Sequence, residues 1–144
     1  MSNVIKNPFK ILSIICFLFS LTQIGFNEKY GIELLFFGWS LDLLFTSFAN
    51  FCWIANLFFI FSFIKIKNSK NTIFFCLIAF LLAVSFWFNH SINETSFCET
   101  CNKPVSIEIR TLGLGYYLWV LSIFFQLLHL FVQRKFYSKR NIEN

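Results

Sequence analysis

The chain has 144 residues, of which 57% are apolar and only 13% charged, with a net charge of +5. A soluble domain of this length cannot bury so much apolar surface, so composition excludes an ordinary water-soluble fold and leaves room for a single integral membrane domain spanning residues 1–144. The positive balance does not imply a nucleic-acid partner, because most basic residues sit beside long apolar runs, where they set orientation in a bilayer and meet anionic headgroups.

Taken in order, the first apolar run is Ile11–Phe26, preceded by Lys6 and Lys10. It approaches the roughly 20 residues that cross hydrocarbon. The residues at its end, Gly25-Phe26-Asn27-Glu28, lack a small-x-small cleavage pattern, so the run is expected to be retained rather than removed as a signal peptide. Lys29 is then offset by Glu28 and Glu33. The second apolar region is longer than a bilayer needs. A span over 43–64 places Gly31–Leu44, with Trp39 and Asp42, at or above the outer interface. A single continuous helix is expected through Gly38, since one glycine costs only about 1 kcal/mol in a helix. Lys65, Lys67 and Lys70 follow, then a third run over Ile73–Phe88. The next connector mixes Lys103 and Arg110 with Glu94, Glu99 and Glu108. The fourth run, Leu114–Val132, leads into Arg134, Lys135, Lys139 and Arg140 on a short polar tail that is expected to fray. Basic segments alternate with mixed ones, so the fold class is an all-α membrane protein: a four-transmembrane-helix bundle with both termini cytoplasmic and a cysteine-containing outer loop between helices 3 and 4.

Each run carries one less apolar stripe at helical spacing. The stripes are Ser13, Cys16, Ser20 and Gln23; Thr46, Ala49, Trp53 and Asn56; Cys76, Ala79, Ala83 and His90; and Gly115, Trp119, Ser122, Gln126, His129 and Gln133. Small and hydrogen-bonding residues favour close helix approach over lipid exposure, so the stripes are expected to face one another. Asn56 lies nine residues before Lys65 and Gln126 eight before Arg134, which puts both amides about 12–14 Å above the cytoplasmic edge and makes them candidate partners. Asp42 and Arg110 are a candidate pair at the outer edge. His129, one turn from the end of its run, is either an ordinary wetted side chain or a proton relay.

The outer loop holds Cys98-Glu99-Thr100-Cys101 near His90, Glu94 and Glu108. A C-x-x-C facing an oxidising compartment reads first as a structural disulfide and second as an exchanging redox pair. A metal site from His90, Cys98, Cys101 and a carboxylate is a third reading, weakened because a closed zinc site wants four ligands and only one C-x-x-C is present. Cys16, Cys52 and Cys76 fall within apolar runs and read as small packing residues. Four-helix quinone-linked disulfide oxidases and vitamin K epoxide reductase-like enzymes need a second outer cysteine pair, and the chain has none. Neither a Ser/His/Asp set nor a glycine-rich phosphate loop is present, so an enzymatic role is not favoured and no cofactor is expected.

Trp53-Ile54-Ala55-Asn56 and Gly115-Tyr116-Tyr117-Leu118-Trp119 with Ser122 resemble the W-x-A-N and G-Y-Y-L-W-x-x-S signatures of uncharacterised small bacterial inner-membrane proteins. The likeness covers about a third of the chain. It implies four spans in a bacterial inner membrane and brings no activity or catalytic residues with it. Such proteins often carry proline after the asparagine; Leu57 stands there, which implies a straighter second span. Tyr116, Tyr117 and Trp119 also fit an aromatic belt at the outer edge. The expected role is binding of another membrane protein, as an accessory or immunity-type subunit, or of a second copy of the chain. The alternative is thiol-disulfide redox or metal handling at the outer C-x-x-C.

Overall fold

The computed structural model describes residues 8–37, 52–64, 69–88, 91–94, 105–108 and 111–140. These form helix α1 (Pro8–Thr22), strands β1 (Ile24–Phe26) and β2 (Lys29–Tyr30), helix α2 (Gly31–Phe37), a 3₁₀ turn (Cys52–Ile54) leading into α3 (Ala55–Phe61), α4 (Ser69–Ser85) with a 3₁₀ turn (Phe86–Phe88), strands β3 (Ser91–Glu94) and β4 (Val105–Glu108), and the long α5 (Leu114–Arg140). The described residues are mostly helical. Two helices, Asn71–Phe88 and Leu114–Lys135, are long and apolar enough to cross a membrane, while Pro8–Thr22 and Cys52–Phe61 are shorter apolar helices.

Helix α1 lies along α5, which packs on α4, which in turn packs on α3. Phe17 of α1 meets Phe59 of α3 at 5.3 Å between ring centroids and brings the two outer members of this series together. The core between them is built from small and branched residues: Ala55 and Phe59 of α3, Cys76, Ala79 and Ala83 of α4, and Ile123, Leu127 and Leu130 of α5. Alanine and cysteine at a helix contact let the backbones approach closely, and the bulkier Phe59 and Ile123 fill what remains.

The boundaries depart from the apolar runs in four places. The first run does not stay helical to Phe26. Its helix stops at Thr22 and the chain turns into the β1–β2 hairpin, with Ile24 opposite Tyr30 and Phe26 opposite Lys29. Apolar content alone cannot separate a helix from a short buried strand, and the two-residue turn at Asn27-Glu28 decides it. The second region is not one continuous helix. Nineteen residues of helix between Leu34 and Trp53 would hold them about 28 Å apart, yet the Trp53 indole N–H donates to the Leu34 carbonyl at 3.0 Å. Helix α2 instead packs on α1. Its first turn is set by Glu33, whose carboxylate accepts the Tyr30 N–H at 3.1 Å, the returning half of a capping box. The tail after Val132 is helical through Arg140, because Arg, Lys and Tyr include no breaker and basic residues suit a helix C-terminus. The connector between α4 and α5 contains an antiparallel pair of strands, Ser91–Glu94 against Val105–Glu108, where only a loop is expected from the sequence.

Candidate functional site

The inward faces of the helices mix small apolar and polar residues, and the outward faces carry large apolar ones. Ser13, Ser20, Asn56, Ser62, Thr72, Ser122, Gln126 and His129 are all buried. Ile11, Ile15, Leu18 and Phe19 of α1, Phe74 and Leu81 of α4, and Leu121, Phe124 and Phe131 of α5 are exposed. A water-soluble bundle carries charged and polar residues on such an outward face.

The buried hydroxyls mostly satisfy themselves against their own helix. Ser20, Ser62, Ser85 and Ser122 each donate to the carbonyl three residues earlier. Ser13 instead donates across the α1–α5 contact to the Ser122 carbonyl at 2.7 Å, and Tyr116 donates from α5 to the Ala83 carbonyl of α4 at 2.8 Å. Cys52 touches Ser85 at 3.4 Å, and Cys76 donates weakly to the Ile123 carbonyl at 3.7 Å. Cys16, Cys52 and Cys76 are therefore buried free thiols packed between helices.

Asn56 and Gln126 are not brought together. Trp119 Nε1 donates to Asn56 Oδ1 at 2.9 Å, and Gln126 Nε2 donates to the Ser62 carbonyl at 3.3 Å. Helices α3 and α5 run in the same direction, so Asn56 is level with Trp119 and Ser62 with Gln126, two separate rungs about 9 Å apart. Gln126 Oε1 is buried and accepts no hydrogen bond. His129 is also buried rather than wetted, because α5 continues beyond it.

Helix polarity gathers the charges. Lys10 near the start of α1 lies 5.9 Å from the Phe63 ring just past α3, and Arg134 and Lys135 belong to the same end through α5. The opposite end carries the β1–β2 hairpin with Glu28, Lys29 and Glu33. Burial lowers the Lys29 ammonium's pKa there, and the nearby Glu33 carboxylate opposes that shift. This end is tied by backbone contacts. Gly113 N–H donates to the Gly25 carbonyl at 2.8 Å and Gly31 N–H to the Gln23 carbonyl at 2.9 Å, while Phe26 bridges to Leu112.

Also at this end, Phe80, Val84, Trp87, Tyr116, Tyr117 and Val120 line an open apolar groove of about 420 Å³ between α4 and α5. Trp87 and Tyr117 meet edge to face at 5.6 Å. The arrangement offers apolar and aromatic contact and no converging acid-base groups.

Asp42, His90, Cys98, Cys101 and Arg110 lie outside the described residues. What is placed is the frame around the cysteines: Glu94 is the register partner of Val105, so the C-x-x-C falls within the connection between paired strands β3 and β4. Among the described residues, no three His, Cys, Asp or Glu side chains gather as a metal site. The rung formed by Trp119 and Asn56 and the unpartnered Gln126 carbonyl were not anticipated, although both are members of the polar stripes. The chain matches no protein-family model, no curated protein and no solved structure.

Proposed function

We propose that this chain is a four-span membrane protein with both termini cytoplasmic, acting by binding another membrane protein through its helix faces or outer loop. The observation that carries the reading is the outward face of large apolar residues, with eight polar residues buried between helices beside an apolar core. In water such a surface would aggregate; in a bilayer it is the stable arrangement. The basic end formed by Lys10, Arg134 and Lys135 supports a cytoplasmic assignment for that end. The two shorter apolar helices, Pro8–Thr22 and Cys52–Phe61, complete the four spans in this reading, with the flanking chain and local thinning of the bilayer making up their length. A non-catalytic role fits an interior whose hydroxyls mostly bond to their own helix and whose Ser13–Ser122 and Trp119–Asn56 bonds join helices.

The test is photo-crosslinking in native membranes from Phe19, Phe74 and Phe131, which are exposed on three different helices. A partner-binding protein gives a discrete protein adduct from one face and lipid from the others. Lipid adducts alone from every face, with a single unassociated chain in mild detergent, would remove the proposal.

The thiol reading keeps one support of its own. The β3–β4 pairing holds both ends of the C-x-x-C connection together, a frame suited to a constrained cysteine pair. Thiol trapping before lysis separates the readings: a mixed disulfide with a second protein favours redox exchange, and a stable internal disulfide favours the partner-binding role.

A further inference from the structure

Polar groups bracket helix α1 closely. Its uncharged part, residues 11–22, runs between Lys10 and Gln23, a rise of about 20 Å against the ~30 Å of bilayer hydrocarbon. Both edges are held in place. Past Thr22 the chain turns back into the β1–β2 hairpin, where the Gly25 carbonyl accepts the Gly113 N–H just before α5. At the other end the Lys10 ammonium lies 5.9 Å from the Phe63 ring. Phe63 follows Ser62, whose carbonyl bonds to Gln126, so this cation stands near the level of Gln126, eight residues and about 12 Å short of Arg134 along α5. A lysine that deep in hydrocarbon is costly. On α4, by contrast, Asn71–Phe88 carries no charge over a rise of about 27 Å.

We infer, on the membrane reading proposed above, that the outward face of α1 is a surface for lipids with short acyl chains and holds a locally thinned bilayer around it, whereas α4 meets hydrocarbon of ordinary thickness. A span too short for its bilayer thins the bilayer, snorkels its flanking residues or associates with another span. Snorkelling does not close the gap here, because the Lys10 side chain ends beside Phe63 rather than at the level of Arg134. Association within the chain covers only the side of α1 that carries Ser13, Cys16 and Ser20, leaving Ile11, Ile15, Leu18 and Phe19 exposed. Thinning is what remains, and short chains fill a thin layer with less compression than long ones.

The experiment is photo-crosslinking of the purified full chain in vesicles of equimolar phosphatidylcholines with fourteen-carbon and twenty-two-carbon acyl chains. Benzoylphenylalanine is placed at Phe19 on α1 or at Leu81 on α4, both exposed. The two probes share one depth: Ser13 and Cys76 bond to the neighbouring Ser122 and Ile123 carbonyls of α5, and Phe19 and Leu81 lie about 9 Å and about 7.5 Å beyond them towards the hairpin end. Adducts from Phe19 should favour the short-chain lipid about threefold or more relative to adducts from Leu81. The same probe at Leu18 carries the comparison if the Phe19 chain does not fold. Lys10→Leu leaves Lys6 as the next charge towards the N-terminus, so it should bring the Phe19 ratio towards that of Leu81. Equal chain-length ratios at the two positions overturn the inference, as does a Phe19 ratio that Lys10→Leu leaves unchanged. A Phe19 adduct to a second copy of the chain also overturns it, by giving this face to association. Absence of lipid adducts at both positions removes it together with the membrane reading on which it rests.

Discussion

Asn27 and Glu28 take φ of 43° and 67°, the left-handed region at both central positions of the β1–β2 turn. Two positive φ values in a two-residue loop define the type I′ turn that matches strand twist. Asparagine suits the first position, but glutamate at the second carries the strain of a Cβ in that region, about 1 kcal/mol. Glu28→Gly should therefore raise thermal stability by up to about 1 kcal/mol; an unchanged or lower midpoint would mean that the turn is not I′ in solution. Gly113 is constrained from outside rather than by φ, because a Cβ there would run into the Ile24 carbonyl. Backbone cannot yield as a side chain does, so Gly113→Ala should cost about 1–3 kcal/mol, read from the unfolding midpoint in detergent. An Asn-Glu pair does not announce a hairpin as Asn-Gly would, which is why this turn was not legible in the sequence.

At the scale of elements, the depth of each polar residue depends on where its helix stops, and that was the weak link in matching Asn56 with Gln126. Counting back from Lys65 and Arg134 takes both as the membrane edge. Helix α3 ends at Phe61 and turns before Lys65, while α5 runs straight through Arg134 to Arg140. The two counts therefore started from different heights. The corrected rungs make a definite prediction in a double-mutant cycle. Asn56→Leu and Trp119→Phe should each cost about 1 kcal/mol and be strongly non-additive, since each removes the same 2.9 Å bond. Asn56→Leu combined with Gln126→Leu should be additive within about 0.5 kcal/mol. The reverse pattern would restore the direct amide pair.

Among the described residues, Lys10, Arg134 and Lys135 lie at one end and Glu28, Lys29 and Glu33 at the other. Cysteine-accessibility labelling tests the orientation this implies. Ser69→Cys, at the start of α4, and Ser138→Cys, in the last turn of α5, should react with an impermeant reagent only from the cytoplasmic side. Reaction of either from outside would reject the topology. Cys98 and Cys101 carry a separate expectation: a two-residue separation constrains the unfolded chain little, so Cys98→Ser with Cys101→Ser should lower stability by less than the 2–4 kcal/mol typical of longer disulfide loops. A larger loss would indicate that the pair holds more of the fold than its own short loop.

Hydropathy and the stripe spacing by themselves determined that the described chain is helical and apolar outward, because a 3.6-residue period needs no tertiary context to be read. They also picked out Ser13, Ser122, Asn56 and Gln126 as inward-facing, and all four are buried. Partner choice was decided only by the tertiary structure. Hydrogen bonds between helices depend on relative axial shift, and a shift of one turn moves a side chain by about 5.4 Å, more than a hydrogen bond can tolerate. For α1, α2 and α5 that shift is held by backbone contacts at the glycine-rich end, where Gly25, Gly31 and Gly113 seat them against one another. Glycine has no side chain whose pattern could have declared those contacts in advance.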